Sequence, residues 1–129
     1  MSDVDSLQKQ KGIGKMIVNK EIPIFLQLAE NIKSQIIEGK LKKDDRIMSV
    51  RDIAATYEVN NNTAMKSVNT LAEENIIYQK RGMGYFVTEK AKEIIEEQRR
   101  RLFYEKELPI LRKVMTQLGI TKEELMSML

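Results

Sequence analysis

Cysteine and histidine are both absent from the 129 residues. That removes disulfides, thiol nucleophiles, thiolate and imidazole metal sites, and imidazole acid–base catalysis together. Only carboxylate chemistry stays open. The carboxylates lie mostly on charged helical faces, without a metal-ligand cluster beside them, and no glycine-rich phosphate loop follows a strand and opens a helix. An enzyme is therefore not expected, and neither is a metal or a cofactor. Long apolar runs are missing as well: the N-terminus has no continuous hydrophobic stretch and no segment approaches a membrane span. No secretory signal, transmembrane helix or membrane partner is expected, and the cytoplasm is the default compartment. Charge is not scarce, but 22 Lys and Arg against 19 Asp and Glu leave only +3, a total that hides its distribution and selects no partner. The length suits one modest domain with an appendage.

The most informative stretch runs over residues 49–74. Ser49 is a good helix N-cap, and Asp52 three residues later completes a capping box. Val50, Ile53, Ala54 and Tyr57 then recur at helical spacing and form a narrow apolar face of little more than two turns. After Glu58 and Val59, Asn60 caps a second helix whose buried stripe is Ala64, Val68, Leu71 and Ala72. Its other face carries Asn61, Asn62, Met65, Lys66 and Asn69. Asparagine pairs bidentately with the adenine edge, lysine with guanine or a phosphate, and a thymine methyl accepts an apolar contact. Taken alone, that face fits a DNA-reading helix and an amide-rich solvated helix equally well.

The next segment of the chain favours the DNA-reading helix. Residues 76–81 and 85–88 are strand-like, and Gly82-Met83-Gly84 between them supplies residues free to take positive φ. Lys80 and Arg81 flank the tip of this hairpin, which is narrow enough to enter a minor groove, where negative potential favours a cation. Tyr78, Tyr85 and Phe86 suit cross-strand packing better than a base-stacking platform.

Upstream, residues 1–21 read as a flexible leader whose Lys9, Lys11, Lys15 and Lys20 suit a solvated tail better than a DNA arm. Pro23 suits a first helical turn. Ile24, Leu28, Ile32 and Ile36, flanked by Ala29 and Ile37, make a long stripe ended by Gly39. Residues 40–48 are a charged connector in which Arg46-Ile47-Met48 can pair as a short strand with the hairpin.

From Glu89 onward the pattern is helical, with Ala91, Ile94, Ile95, Leu102 and Leu108. Glu93, Glu96 and Glu97 beside Arg99, Arg100 and Arg101 form a solvated face whose ion pairs are worth about 0.3 kcal/mol each. Pro109 is expected to kink or break the helix. Leu108, Leu111, Met115 and Leu118 form a second stripe, Gly119 ends it, and Thr121 with Glu124 caps a last helix bearing Leu125, Met128 and Leu129. Two or three short helices cannot bury such stripes alone, so a second copy is expected to cover them. Leu102, Leu108, Leu111, Met115, Leu118 and Leu125 are the candidate dimerisation residues. A two-fold pair of reading helices calls for an inverted repeat in double-stranded DNA.

Residues 23–88 resemble the winged helix-turn-helix domain of the GntR family of bacterial transcription regulators. The resemblance is carried in register by Pro23-Ile24-Phe25-Leu26-Gln27-Leu28, Gly39-Lys40-Leu41, Asp45-Arg46-Ile47 and Ser49-Val50-Arg51-Asp52-Ile53-Ala54, then by Val59-Asn60, Asn62-Thr63 and residues 80–87. The short tail is similar to that of the YtrA-like branch. Lys43-Asp44 stands where the family usually has Pro-Gly, and Met48 where it has Pro, which removes rigidity from the connector.

The resemblance implies an α+β fold, mostly α with one small β-hairpin: a winged helix-turn-helix domain over residues 22–88 and a helical dimerisation tail over 89–129. It also implies that Arg51 reaches DNA, the alternative being an ion pair with Asp52 or Asp44. Lys66 matches the family's basic position, whereas Asn61 and Met65 depart from it, so base preference does not carry over. The candidate DNA-binding set is Ser49, Arg51, Asn60, Asn61, Asn62, Thr63, Met65, Lys66, Lys80, Arg81, Gly82 and Gly84. The function expected is a sequence-specific repressor that binds an inverted-repeat operator as a homodimer, with membrane-transporter genes as the regulated class that the family suggests. No effector is assigned, since the tail is small for a metabolite pocket. The alternative is a winged-helix interaction module whose tail recruits a protein, against which the cations Arg51, Lys66, Lys80 and Arg81 argue.

Overall fold

The computed structural model describes residues 21–129, so the leader expected over 1–21 lies outside the described residues except for Glu21. The chain forms two compact units, the first ending at Ile95 and the second spanning Glu96–Leu129.

Helix α1 (Ile24–Ile37) starts behind Pro23, which occupies the cap position. Leu28, Ala29, Ile32 and Ile36 are buried as the stripe requires, while Ile24 stays exposed and Ile37 is half-buried. Lys33 is buried as well. Its ammonium lies 3.1 Å from Glu30 and 3.1 Å from Glu74, which ties α1 to the far end of the next long helix. Such an arrangement satisfies a charge that burial would otherwise penalise. Gly39, at φ 82°, then lets the chain turn away.

Helices α2 (Val50–Tyr57) and α3 (Asn61–Glu73) come next. Each begins at the cap that its sequence supplies: Ser49 Oγ accepts from the Asp52 amide at 3.1 Å, and Asn60 Oδ1 from the Thr63 amide at 2.7 Å. Between them Glu58 takes the left-handed conformation at φ 56°, so the turn is closed without glycine. Ile53, Ala54, Ala64, Val68 and Leu71 share the core with α1. Ser67 is also fully buried, and its hydroxyl is satisfied by donating to the Ala64 carbonyl at 2.6 Å. Tyr57 closes one side. Partial burial raises its hydroxyl pKa above the usual 10.0, an effect opposed by the hydrogen bond from the Asn31 amide.

Strands β1 (Ile77–Lys80) and β2 (Gly84–Val87) pair antiparallel with Ile77 opposite Val87 and Lys80 opposite Gly84. Ile77 and Val87 face the core. The connector adds a short third edge: Arg46 bridges Phe86, the Ile47 amide donates to the Tyr85 carbonyl, and the Val87 amide donates to the Asp45 carbonyl. The pairing expected of Arg46-Ile47-Met48 thus exists, shifted to residues 44–47. Asp44 takes φ 66°, and its carboxylate accepts the Tyr78 hydroxyl at 2.9 Å. Aspartate is one of the few residues that tolerate this conformation.

Helix α4 (Ala91–Leu102) begins in the first unit, where Ala91 and Ile95 are buried. The second unit continues it through a π-helical segment (Phe103–Glu107) into α5 (Leu108–Leu118), and then α6 (Lys122–Met128). Pro109 does not break the helix. It has no amide to give the carbonyl four residues back, and the preceding turn is widened to π spacing, with the Leu108 amide donating to the Phe103 carbonyl. Gly119, at φ 66°, ends α5, and Thr121 Oγ1 caps α6 by accepting from the Glu124 amide at 3.1 Å. No residue of α5 or α6 is buried.

Candidate nucleic-acid interface

Helix α3 buries Ala64, Ser67, Val68 and Leu71 and leaves Asn61, Asn62, Met65, Lys66 and Asn69 exposed, with Thr63 half-buried. No acidic residue stands in its first turn. The free amides there present a positive helix end together with two solvent-facing asparagine side chains, an arrangement suited to an anionic, hydrogen-bonding partner. Asn60 points its side-chain oxygen at the cap and keeps both N–H donors of its amide for a base or phosphate. Ser49 is likewise committed through Oγ as an acceptor and retains its hydroxyl proton. Lys66 projects beside α1, its ammonium 5.9 Å from the centre of the Phe25 ring. A cation over an aromatic face is held at small cost and can still be offered outward.

Arg51 is exposed in the first turn of α2 and makes no ion pair among the described residues. The intrachain alternative is not realised. Asp44 is engaged by Tyr78, and that hydrogen bond, with lesser burial and charge effects, raises the Tyr78 hydroxyl pKa above 10.0.

The hairpin differs in detail from expectation. Gly82, at φ 75°, lies in the turn with Arg81 and Met83, and the Met83 amide donates to the Lys80 carbonyl at 2.9 Å. Gly84 belongs to β2, opposite Lys80, so it does not form the tip. Nor is Lys80 a tip cation, because its ammonium folds back to 4.7 Å from the centre of the Phe86 ring. Arg81 remains exposed at the tip, next to an exposed Met83 that the candidate set does not contain. Met83 carries a signal of its own, as an apolar residue between two glycines.

The candidate dimerisation residues all lie at or near the surface. Leu102, Leu111 and Leu118 are exposed, and Leu108, Met115 and Leu125 are half-buried. Phe103, Ile110 and Val114 are exposed beside them and widen the apolar stripe; the four-residue spacing of Ile110, Val114 and Leu118 is the signal that marks them. Among the described residues no cluster of carboxylates suits a metal, and no helix is long and apolar enough to cross a membrane.

Comparison with known proteins agrees with this geometry. Residues 25–87 match the family described as bacterial regulatory proteins, gntR family. The chain is 36% identical over 104 residues to the uncharacterized HTH-type transcriptional regulator YhcF of Bacillus subtilis, covering 81% of this chain and 84% of that protein. It is 35% identical over 75 residues to the HTH-type transcriptional repressor YtrA of the same organism, covering 58% of each. Among solved structures, a GntR family transcriptional regulator from Listeria monocytogenes superposes with a TM-score of 0.70 at 30% identity, over 85% of this chain and 95% of that one.

Proposed function

The chain belongs to the gntR family of bacterial regulatory proteins and is a DNA-binding transcription regulator, not an enzyme, and from that premise we propose that it is a repressor binding an inverted-repeat operator as a homodimer. The observation that carries this reading is the exposed face of α3, where Asn61, Asn62, Met65 and Lys66 stand together at a helix N-terminus without a first-turn acid. In the major groove the two amides and the lysine read base edges, and the methionine meets a thymine methyl. Arg51 and the capped starts of α2 and α3 lie against phosphates, and Arg81 enters the adjacent minor groove on the turn made by Gly82. The repressor role is supported by the name of the YtrA relative.

The dimer is supported by the tail. No residue of its apolar stripe is fully buried: Leu111 and Leu118 are exposed, and Leu108 and Met115 are half-buried. A two-fold partner that buries it also places two α3 helices for two half-sites. Occupancy of a promoter then excludes polymerase.

A footprint on the DNA upstream of the protein's own gene, read at two salt concentrations, tests this. The expected result is a protected inverted repeat that persists at the higher salt. Lys66→Ala and Arg81→Ala should each weaken that footprint by roughly 10-fold, the order of 1–3 kcal/mol for a lost groove contact, with the thermal midpoint unchanged. Protection that survives both substitutions, or a single unrepeated half-site, defeats the reading.

A further inference from the structure

Strand alternation puts Tyr78 and Lys80 of β1 and Gly84 and Phe86 of β2 on the outward face of the hairpin, and Arg46, bridged to Phe86, joins them. The two rings lie 5.9 Å apart between centres. Two cations share this face. Lys80 stands opposite Gly84 but leans to Phe86, 4.7 Å from the ring centre, and lies 5.9 Å from the centre of Tyr78. Arg46 stands opposite Phe86 but leans to Gly84: its Nε is 3.0 Å, and its Nη2 3.5 Å, from the position a Cβ on Gly84 would take. The guanidinium therefore occupies the space that the missing side chain leaves.

Both positive groups sit over β2, above residues two apart, a spacing of about 7 Å along a strand. Neither forms an ion pair among the described residues. Asp44 also reaches this face, where its carboxylate accepts the Tyr78 hydroxyl at 2.9 Å. Like charges held this close repel, and the aromatic faces beneath Lys80 only partly relieve them. An anion relieves them fully, and a guanidinium offers the planar fork that phosphate oxygens accept.

Resting on the DNA-binding reading above, we propose that this outward face is a phosphate clamp, in which Arg46 and Lys80 hold the backbone of one DNA strand beside the groove that Arg81 enters. The clamp is indifferent to sequence. It gives the hairpin its position and leaves Arg81 to sense groove width.

The test measures full-length protein binding to the footprinted duplex and to a scrambled duplex of equal length over a series of salt concentrations. Arg46→Gln should weaken binding to both duplexes by a comparable factor and make the slope of log K against log salt shallower by about 1, while Arg46→Lys keeps the slope. Lys80→Gln should repeat the pattern and keeps the test open if Arg46→Gln does not fold, which its melting curve reports. A slope left at the wild-type value by both glutamine variants overturns the clamp, as does a loss confined to the footprinted duplex. A wild-type protein with no salt-dependent binding to either duplex instead defeats the regulator reading itself.

Discussion

In the first unit Ala64, Val68, Leu71 and Ile76 are fully buried, whereas in the second Leu111, Leu118 and Met126 stay at the surface although their helices carry an apolar stripe of the same kind. The two regions differ in what covers the stripe. Helices α1, α2 and α3 and the hairpin close on one another, with Lys33 clasped between Glu30 and Glu74 at one edge. In the tail the helices α5 and α6 bury no residue. Helical spacing reports which side of a helix is apolar and says nothing of whether its own chain supplies the cover.

The sharpest way to break this contrast is to remove the same atoms from each side. Leu71→Ala should cost roughly 2–5 kcal/mol, because it empties a site that nothing can reach to refill. Urea unfolding followed by circular dichroism would measure it. Leu118→Ala, at 69% exposure, should leave the first unit's unfolding midpoint in place and weaken self-association in sedimentation instead. Equal losses of stability from both would show that the tail is covered by its own chain.

A smaller contrast lies in the caps. Asn60→Ala and Thr121→Ala each delete a side-chain oxygen that accepts a helix amide, an interaction worth about 1 kcal/mol. The first should lower the midpoint of the whole first unit. The second should show only as faster amide exchange within α6, since that helix buries nothing to transmit the loss. If Thr121→Ala moved the first unit's midpoint as far as Asn60→Ala, the independence of the two units would fail.

The smallest effect is at alkaline pH. Folding raises the hydroxyl pKa values of Tyr57 and Tyr78 above 10.0, Tyr57 chiefly by burial and Tyr78 chiefly through its hydrogen bond to Asp44. A raised folded value means that the neutral form is favoured in the folded state. The stability it brings is complete below pH 10 and is lost as pH rises through the folded values. Tyr57→Phe and Tyr78→Phe should therefore flatten the alkaline limb of a stability curve for the first unit, and an unaltered limb in both would remove the assignment.

Much of the first unit is legible in its residues because local chemistry and tertiary demand agree there. Ser49 and Asn60 cap the helices they precede, and the stripe of Ala64, Val68 and Leu71 faces inward. The exceptions have physical causes. Nothing in the local pattern marks Lys33 as interior, since lysine is rarely buried and Glu30 and the distant Glu74 together satisfy its charge. Pro109 reads as a kink or a break because it has no amide to give the carbonyl four residues back, but a π turn carries the helix past it. In the candidate site, Lys80 and Gly84 read as parts of the tip because they adjoin it in the chain. Register places them in the strands, and Arg46 enters the same face from a connector far back in the chain, beside the link between Asp44 and Tyr78 that spans a separation of 34.

By itself the sequence determined the helices, their caps, the turn at Gly82, the amide and lysine face of α3 and the exclusion of thiol and imidazole chemistry, since each depends on residues within a turn or two of one another. Only the tertiary structure decided that Arg46 lies over Gly84 beside Lys80 over Phe86, that Lys33 is an interior cation and that the tail leaves Leu111 and Leu118 of its apolar stripe exposed. Those outcomes rest on strand register and on packing between segments far apart in the chain, which periodicity does not encode.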